Sequence, residues 1–137
     1  ISENKPINVF NYGKHSRDFT YVDDIVSGIF KVINKIPKTD KKWNKKKLDQ
    51  SSSIAPFKIL NLGSGRRISL MKYINIIEKQ LGKKAKIKYF KMQTGDIKDS
   101  LSDIKETKKY INFKPIVGIE KGIRNFINWY KDYYKKA

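Results

Sequence analysis

Apolar residues recur along this chain with two periods, one near 2 and one near 3.6. Residues 7–10, Ile-Asn-Val-Phe, read as a short strand, and Asn11-Tyr12-Gly13 is a turn signal. From Val22 the apolar positions fall at 22, 25, 26, 29, 33 and 36, which is one face of a helix. Thr20 is placed to cap that helix. Asp23 and Asp24 sit in its first turn, where the backbone dipole favours negative charge, and Pro37 stops it. Residues 57–62 predict a second strand, ended by Gly63-Ser64-Gly65. A second helix follows, with Ser69 as cap, Leu70, Met71, Ile74, Ile77 and Leu81 inward, and Gly82 as the stop.

Residues 84–90 alternate, with Ala85, Ile87 and Tyr89 on one face, as in a strand with one solvated side. Gln93-Thr94-Gly95-Asp96 is a turn. Asp103 and Glu106 have capping-box spacing before a short helix to about Tyr110, which Phe113-Lys114-Pro115 breaks. The last helix, residues 119–134, is expected to bury Ile119, Ile123, Phe126, Ile127 and Tyr130. Between the first helix and the second strand, residues 37–56 predict a mobile basic loop. It holds Lys41-Lys42, Lys45-Lys46-Lys47 and Ser51-Ser52-Ser53, with Trp43 as its one candidate anchor. The order strand, helix, strand, helix, strand, helix, helix means an α/β or α+β chain, with the sheet direction left open. No internal repeat is visible.

A chain of 137 residues is one small domain or part of a larger one, and its start at Ile1 rather than Met suits a piece of something longer. No run approaches the roughly 18 to 20 apolar residues that span a bilayer, and Ile1-Ser2-Glu3-Asn4-Lys5-Pro6 lacks the apolar core of a signal peptide. No cysteine is present, which excludes disulfide scaffolds, zinc ribbons and thiol catalysis and suits a cytoplasmic protein. The single histidine, His15, excludes histidine-cluster metal sites.

Charge is the outstanding feature of the composition. Lys plus Arg is 31 against 13 acids, a formal +18, which attracts polyanions. Yet 27 of these cations are Lys and only four are Arg, whereas base reading and bidentate phosphate binding favour Arg. With 20 Ile and 10 Asn, the lysines read as filler of solvated positions, so a nucleic-acid-binding module is the alternative rather than the leading reading.

Arg17 lies between the Asn-Tyr-Gly turn and a helix start. It suits either a pyrophosphate or a pairing with Asp18 or Asp23. Gly63-Ser64-Gly65 follows a strand and precedes a helix but lacks the third Gly or the Lys of a phosphate loop, so a tight turn is expected. His15 has no carboxylate or nucleophile at a telling spacing and reads as a surface polar residue. Trp129-Tyr130-Lys131-Asp132-Tyr133-Tyr134 reads as core and rim of a helix rather than a base-stacking platform.

Phe10-Asn11-Tyr12-Gly13-Lys14 followed by residues 16–26, Ser-Arg-Asp-Phe-Thr-Tyr-Val-Asp-Asp-Ile-Val, resembles the substrate-domain signature of NAD-dependent nucleotide-sugar epimerases and dehydratases. These are the extended short-chain dehydrogenases, and the likeness is to their UDP-glucuronate 4-epimerase members. Asn61-Leu62-Gly63, the turn at 93–96, and Phe113-Lys114-Pro115 leading to Trp129-Tyr130 follow in that family's order, over nearly the whole chain except 37–56. The resemblance implies that the aromatic at Phe10 packs on uracil, that Arg17 contacts the diphosphate, and that Gln93 and Asp96 reach the ribose. Asn61 looks structural.

It implies an α/β C-terminal substrate-binding portion, residues 1–137, lacking the N-terminal Rossmann half. In the whole enzyme NAD would oxidise the sugar's C4 hydroxyl, the 4-keto sugar would rotate, and the hydride would return on the other face. That enzyme would pair this portion with the missing half, take a UDP-sugar, and be a possible homodimer. No Gly-rich dinucleotide fingerprint and no catalytic Ser is present. Tyr110 and Lys114 match Tyr-x-x-x-Lys, but Pro115 pushes Lys114 out of the α region. The chain is therefore expected to hold no catalytic residue or cofactor of its own, to be inactive alone, and to expose the surfaces that would meet the other half.

Overall fold

A computed structural model describes residues 1–44, 46 and 49–135. The elements are β1 (Ile7–Val9), a helical turn (Phe10–Gly13), β2 (Ser16–Arg17), α1 (Val22–Ile33), β3 (Ile68–Ser69), α2 (Leu70–Leu81), β4 (Ile87–Tyr89), α3 (Lys105–Ile111) and α4 (Ile119–Tyr133). The direction that pattern alone left open is now given. β1 and β4 pair parallel, with Ile7 opposite Ile87 and Val9 opposite Tyr89. β2 and β3 pair antiparallel, with Ser16 opposite Ser69 and Arg17 opposite Ile68. The parallel pair needs a crossover, and α1 through α2 supply it.

Two apolar clusters hold the elements. In the first, α2 lies on α4: Ile76, Ile123 and Ile127 are buried, with Tyr73, Ile77, Leu81 and Ile119 around them. In the second, Ile104, Ile111 and Phe113 are buried against Val32, Leu60, Leu62 and Tyr110. Ser69 caps α2 as expected, its side chain accepting the Lys72 N–H, and Gly82 ends it in the left-handed region at φ 64°.

Several expectations fail for physical reasons. Thr20 does not cap α1; Tyr21 holds the cap position without a side-chain bond, because the Thr20 hydroxyl is used on Asp18 and the Ser64 N–H. No capping box forms before α3, since Ile104 is the cap and Asp103 instead accepts the Lys105 N–H, while Glu106 faces Lys58 and Lys109. Residues 57–62 form no strand, having no ladder neighbour. They run extended, pinned where the Thr107 hydroxyl donates to the Asn61 carbonyl and Asn61 Nδ2 donates to the Asp103 carbonyl.

Asp24 and Gly28 are the buried residues of α1. The Asp24 carboxylate accepts the N–H groups of Ile116 (3.0 Å) and Val117 (3.1 Å), which fixes the rotation of the helix. Gly28 allows close approach: a Cβ there would lie 2.6 Å from Leu62 Cδ2 and 3.1 Å from Phe113 Cε2. The apolar stripe consequently faces out, with Val22 60% and Ile33 64% exposed and Val26 and Ile29 exposed as well, and Phe30 beside them is also exposed. On α4, Phe126 is likewise exposed rather than buried.

The basic loop carries internal order. Asp40 N–H donates to the Ser53 carbonyl, Ile59 N–H to the Ser51 carbonyl, and Trp43 Nε1 to the Asp49 carbonyl. Two of its three central lysines, Lys45 and Lys47, lie outside the described residues. The Asp49 carboxyl is lowered to about 2 by bonds from the Ser51 hydroxyl, the Ser51 N–H and the Ser52 hydroxyl, with Lys58 nearby.

Candidate functional site

The site begins at a backbone reversal. Asn11, Tyr12 and Gly13 lie consecutively in the left-handed region, with φ of 49°, 50° and 77°. Asn tolerates this region through its short polar side chain, and Gly carries no penalty. Gly13 is also required by space, because a Cβ would meet Met71 Sδ at 2.6 Å. The reversal is closed by the Lys14 N–H to the Asn11 carbonyl (2.8 Å) and by Asn11 Nδ2 to the Lys14 carbonyl (3.2 Å). It turns the chain from β1 into β2, so Phe10 and Arg17 flank one turn.

A second segment runs past both. Phe90 N–H donates to the Val9 carbonyl and Tyr12 N–H to the Phe90 carbonyl, and the Phe10 and Phe90 rings meet at 5.6 Å with a 36° tilt. Further on, the segment turns at Gln93–Asp96, closed by the Asp96 N–H to the Gln93 carbonyl with Gly95 at φ 80°. It then returns to β2, where the Ser16 N–H donates to the Lys98 carbonyl.

Arg17 and Asp96 touch. Arg17 Nη2 lies 3.2 Å from Asp96 Oδ1, so the arginine pairs with neither Asp18 nor Asp23. Its Nη1 donates to the carbonyls of Ser16 (2.9 Å) and Lys98 (3.0 Å). A guanidinium has five N–H donors. These contacts leave the Nε–H and one Nη2–H for another acceptor. Gln93 is exposed at the start of its turn.

His15 is not a surface residue. It is 7% exposed, with Nε2 3.4 Å from Asp96 Oδ2. No sequence signal marked it, because Asp96 is far along the chain and the turn alone brings the two together. Beside it the Ser16 hydroxyl donates to the Asp99 carboxylate. That bond, with the charges of Arg67, Lys98 and Arg17, holds the Asp99 carboxyl below the ordinary range.

The Gly63-Ser64-Gly65 turn is full. The Asp18 carboxylate accepts the Ser64 N–H (2.9 Å), the Gly65 N–H (3.0 Å), the Ser102 N–H (3.1 Å) and the Ser64 hydroxyl. Burial pushes this carboxyl up, but the bonds from Ser64, Ser102 and Gly65 outweigh burial and hold it below the usual range. The carboxylate occupies the amides that a phosphate would use. Gly63 packs tightly here: a Cβ would lie 2.5 Å from Ser102 Cβ and 2.9 Å from Asp18 Oδ2. Gly63→Ala should therefore cost about 1 to 3 kcal/mol by overpacking, measured as a lower urea midpoint.

Tyr110 and Lys114 do not share a helix face. α3 ends at Ile111, and Asn112 turns left-handed at φ 51° before Lys114 is reached. The α4 aromatics form a surface row, with Phe126, Trp129 and Tyr133 exposed and Trp129 stacked on Tyr133 at 5.3 Å. An apolar cavity of about 230 Å³ lies between α2 and α4, lined by Phe19, Tyr21, Tyr73, Ile119 and Phe126 among others. Phe10, Arg17, Gln93 and Asp96 do not line it; of these four only Arg17 and Asp96 are in contact through an ion pair. Among the described residues no group of three or more His, Cys, Asp or Glu could hold a metal ion, and no helix is long and apolar enough to cross a membrane.

Residues 1–44 match the NAD dependent epimerase/dehydratase family. Protein CapI of Staphylococcus aureus is 38% identical over 136 residues, covering 99% of this chain and 41% of that protein. The UDP-glucuronate 4-epimerase of Thermodesulfobacterium geofontis is 36% identical over 135 residues, covering 96% of this chain and 35% of that protein. In three dimensions the chain is similar to the UDP-glucuronic acid 4-epimerase of Bacillus cereus, solved in complex with UDP-glucuronic acid and NAD. The TM-score is 0.75 at 25% identity, over 96% of this chain and 37% of that one. The chain thus spans about a third to two fifths of the length of the curated relatives it matches. The signature around Arg17, the α/β fold with its parallel β1–β4 pair, and these likenesses together place the chain in the NAD dependent epimerase/dehydratase family, of which it carries one portion of the extended short-chain dehydrogenase fold.

Proposed function

We propose that this chain is the UDP-sugar-gripping C-terminal portion of an NAD-dependent nucleotide-sugar 4-epimerase of the UDP-glucuronate type. The observation that carries this reading is Arg17 beside Asp96, with two N–H donors to spare, on the same turn as the Phe10 ring. Phe10 would lie against the uracil, Arg17 against the diphosphate, and Gln93 and Asp96 towards the ribose. Holding the UDP fixes the sugar for chemistry done elsewhere in the enzyme. The names of relatives that match nearly all of this chain support the substrate class.

The dinucleotide does not fit the residues present. The amides of the Gly63-Ser64-Gly65 turn are held by Asp18, and Tyr110 and Lys114 stand apart, so these residues offer NAD no seat, and an assay of the chain alone should show no epimerase activity. The out-facing stripe of Val22, Val26, Ile29 and Ile33 is the surface on which the rest of the enzyme would seat, since an apolar face of this size seldom stays bare.

Titration with UDP-glucuronate, followed by calorimetry or NMR, should show saturable binding at millimolar ligand. Charge-assisted bonds contribute roughly 1.5 to 3 kcal/mol, so Arg17→Ala should weaken binding about 10- to 100-fold. No saturable response, or binding indifferent to Arg17→Ala, overturns the reading. Arg17→Lys should recover only part of the loss, because an ammonium cannot reproduce the planar fork.

A further inference from the structure

His15 is a buried imidazole that the proposed grip on UDP does not use. Its Nε2 is shielded from solvent and has no hydrogen-bond partner, yet it lies 3.4 Å from Asp96 Oδ2. The other oxygen of the same carboxylate lies 3.2 Å from Arg17 Nη2. Asp96 thus stands between an arginine and a histidine, one oxygen towards each.

Whether Nε2 carries a proton decides what this contact is. A neutral ring with its proton on Nδ1 sets a lone pair at Nε2 against the carboxylate, and Asp96 then favours Arg17. A proton taken from solvent onto Nε2 turns the same contact into an ion pair and divides Asp96 between two cations. The groups around the ring can be named. Beside His15 along the chain stand Lys14 and, on β2, Arg17. From the passing segment come Asp96, Lys98 and Asp99, the last occupied by the Ser16 hydroxyl. Arg67 precedes β3 and acts on Asp99. Leu70, which opens α2, donates its N–H to the His15 carbonyl and brings no charge.

We propose that His15 is a positioning residue that sets how strongly Asp96 engages Arg17, so that a protonated His15 draws Asp96 away and releases Arg17 to a diphosphate. The inference rests on the UDP-binding reading and adds its regulation. It makes the grip tighter once the ring is protonated, when the ring also adds a positive charge beside the anion.

Two measurements on the 137-residue chain test it. His15 is the only histidine, so its ring NMR signals need no assignment. Without ligand, Asp96→Asn should move those signals, and adding UDP-glucuronate to the wild type should move them as well. UDP-glucuronate is a suitable probe because its diphosphate diester and carboxylate keep their charge across the range in which imidazoles titrate. The wild-type ring signals, followed from about pH 8 to about pH 5.5, report where the proton is taken up; across that step the dissociation constant should fall about 3- to 10-fold in the wild type, and change less than about twofold in His15→Gln. The glutamine keeps a donor towards Asp96 without a titrating proton. Binding with the same acid response in both chains, or ring signals indifferent to Asp96→Asn, overturns the inference and leaves UDP binding standing. Absence of binding at both acidities overturns the UDP reading itself, and the ring comparison then decides the His15–Asp96 coupling on its own.

Discussion

Asp18→Ala should destabilise the chain by about 2 kcal/mol or more, because it strands the Gly65 and Ser102 N–H groups at once, each costing about 1 to 3 kcal/mol when left without an acceptor, while the Ser64 N–H keeps the Thr20 hydroxyl. Those of Ser64, Gly65 and Ser102 converge on this carboxylate from two separate segments, and the Ser64 hydroxyl joins them. Against a total stability of about 5 to 15 kcal/mol for a domain, such a loss is severe, and urea unfolding followed by circular dichroism would measure it. Asp18→Asn keeps one oxygen acceptor and should cost less. A midpoint unchanged in Asp18→Ala would mean that water replaces the carboxylate at the turn.

The same bonds predict an acid response. The carboxyl of Asp18 is held below its ordinary range in the folded chain. Its contribution is therefore complete above the unfolded value of about 3.9 and is lost as pH falls through the lower folded value. Stability should drop below about pH 4, and the drop should be shallower in Asp18→Asn. Some slope will remain, because Asp99 and Glu78 are lowered as well, Asp99 chiefly by the Ser16 hydroxyl and Glu78 chiefly by the Ala85 N–H.

Phe113→Ala should cost about 3 to 5 kcal/mol, the usual loss for emptying an aromatic site in a packed interior. Phe113 is 1% exposed and joins α1, α3 and the extended residues 60–62 through Gly28, Ile111 and Leu62. Few other residues could refill the space, since the cluster around it is small. Phe113→Leu, closer in volume, should lose less than half as much. Equal midpoints for Phe113→Ala and the wild type would mean that the second cluster contributes little to folding.

The two changes also differ in what they do to ligand binding. Asp18 adjoins Arg17 in sequence, and its loss should disturb the β2–β3 pair on which Arg17 rests. Phe113 makes its contacts within the second cluster and with Gly28, none of them with Arg17 or Asp96, so in its variants UDP binding should survive wherever the chain stays folded.

Much of this molecule was legible in its residues. The caps of α2, the strand at 87–89, the turn at 93–96 and the mixed α/β order all follow from local rules that involve a few neighbouring positions. The motif around Arg17 was equally local, and its family likeness identified the residues to watch. What local pattern could not reach were the contacts across long stretches of chain. Thr20 has the composition of a cap but spends its hydroxyl on Asp18 and Ser64, and residues 57–62 have strand composition but no partner strand.

Apolar periodicity determined that residues 22–33 are helical, because side chains 3.6 apart share a face whatever that face meets. It did not determine which face is buried. That was decided by Asp24 meeting the Ile116 and Val117 amides, the first of them 92 residues away along the chain, and by Gly28 fitting under Leu62 and Phe113. His15 shows the same division at the site. By itself it is a polar residue beside a turn, and only the fold lays Asp96 against it, because the energy of a charge pair depends on distance in space and not along the chain.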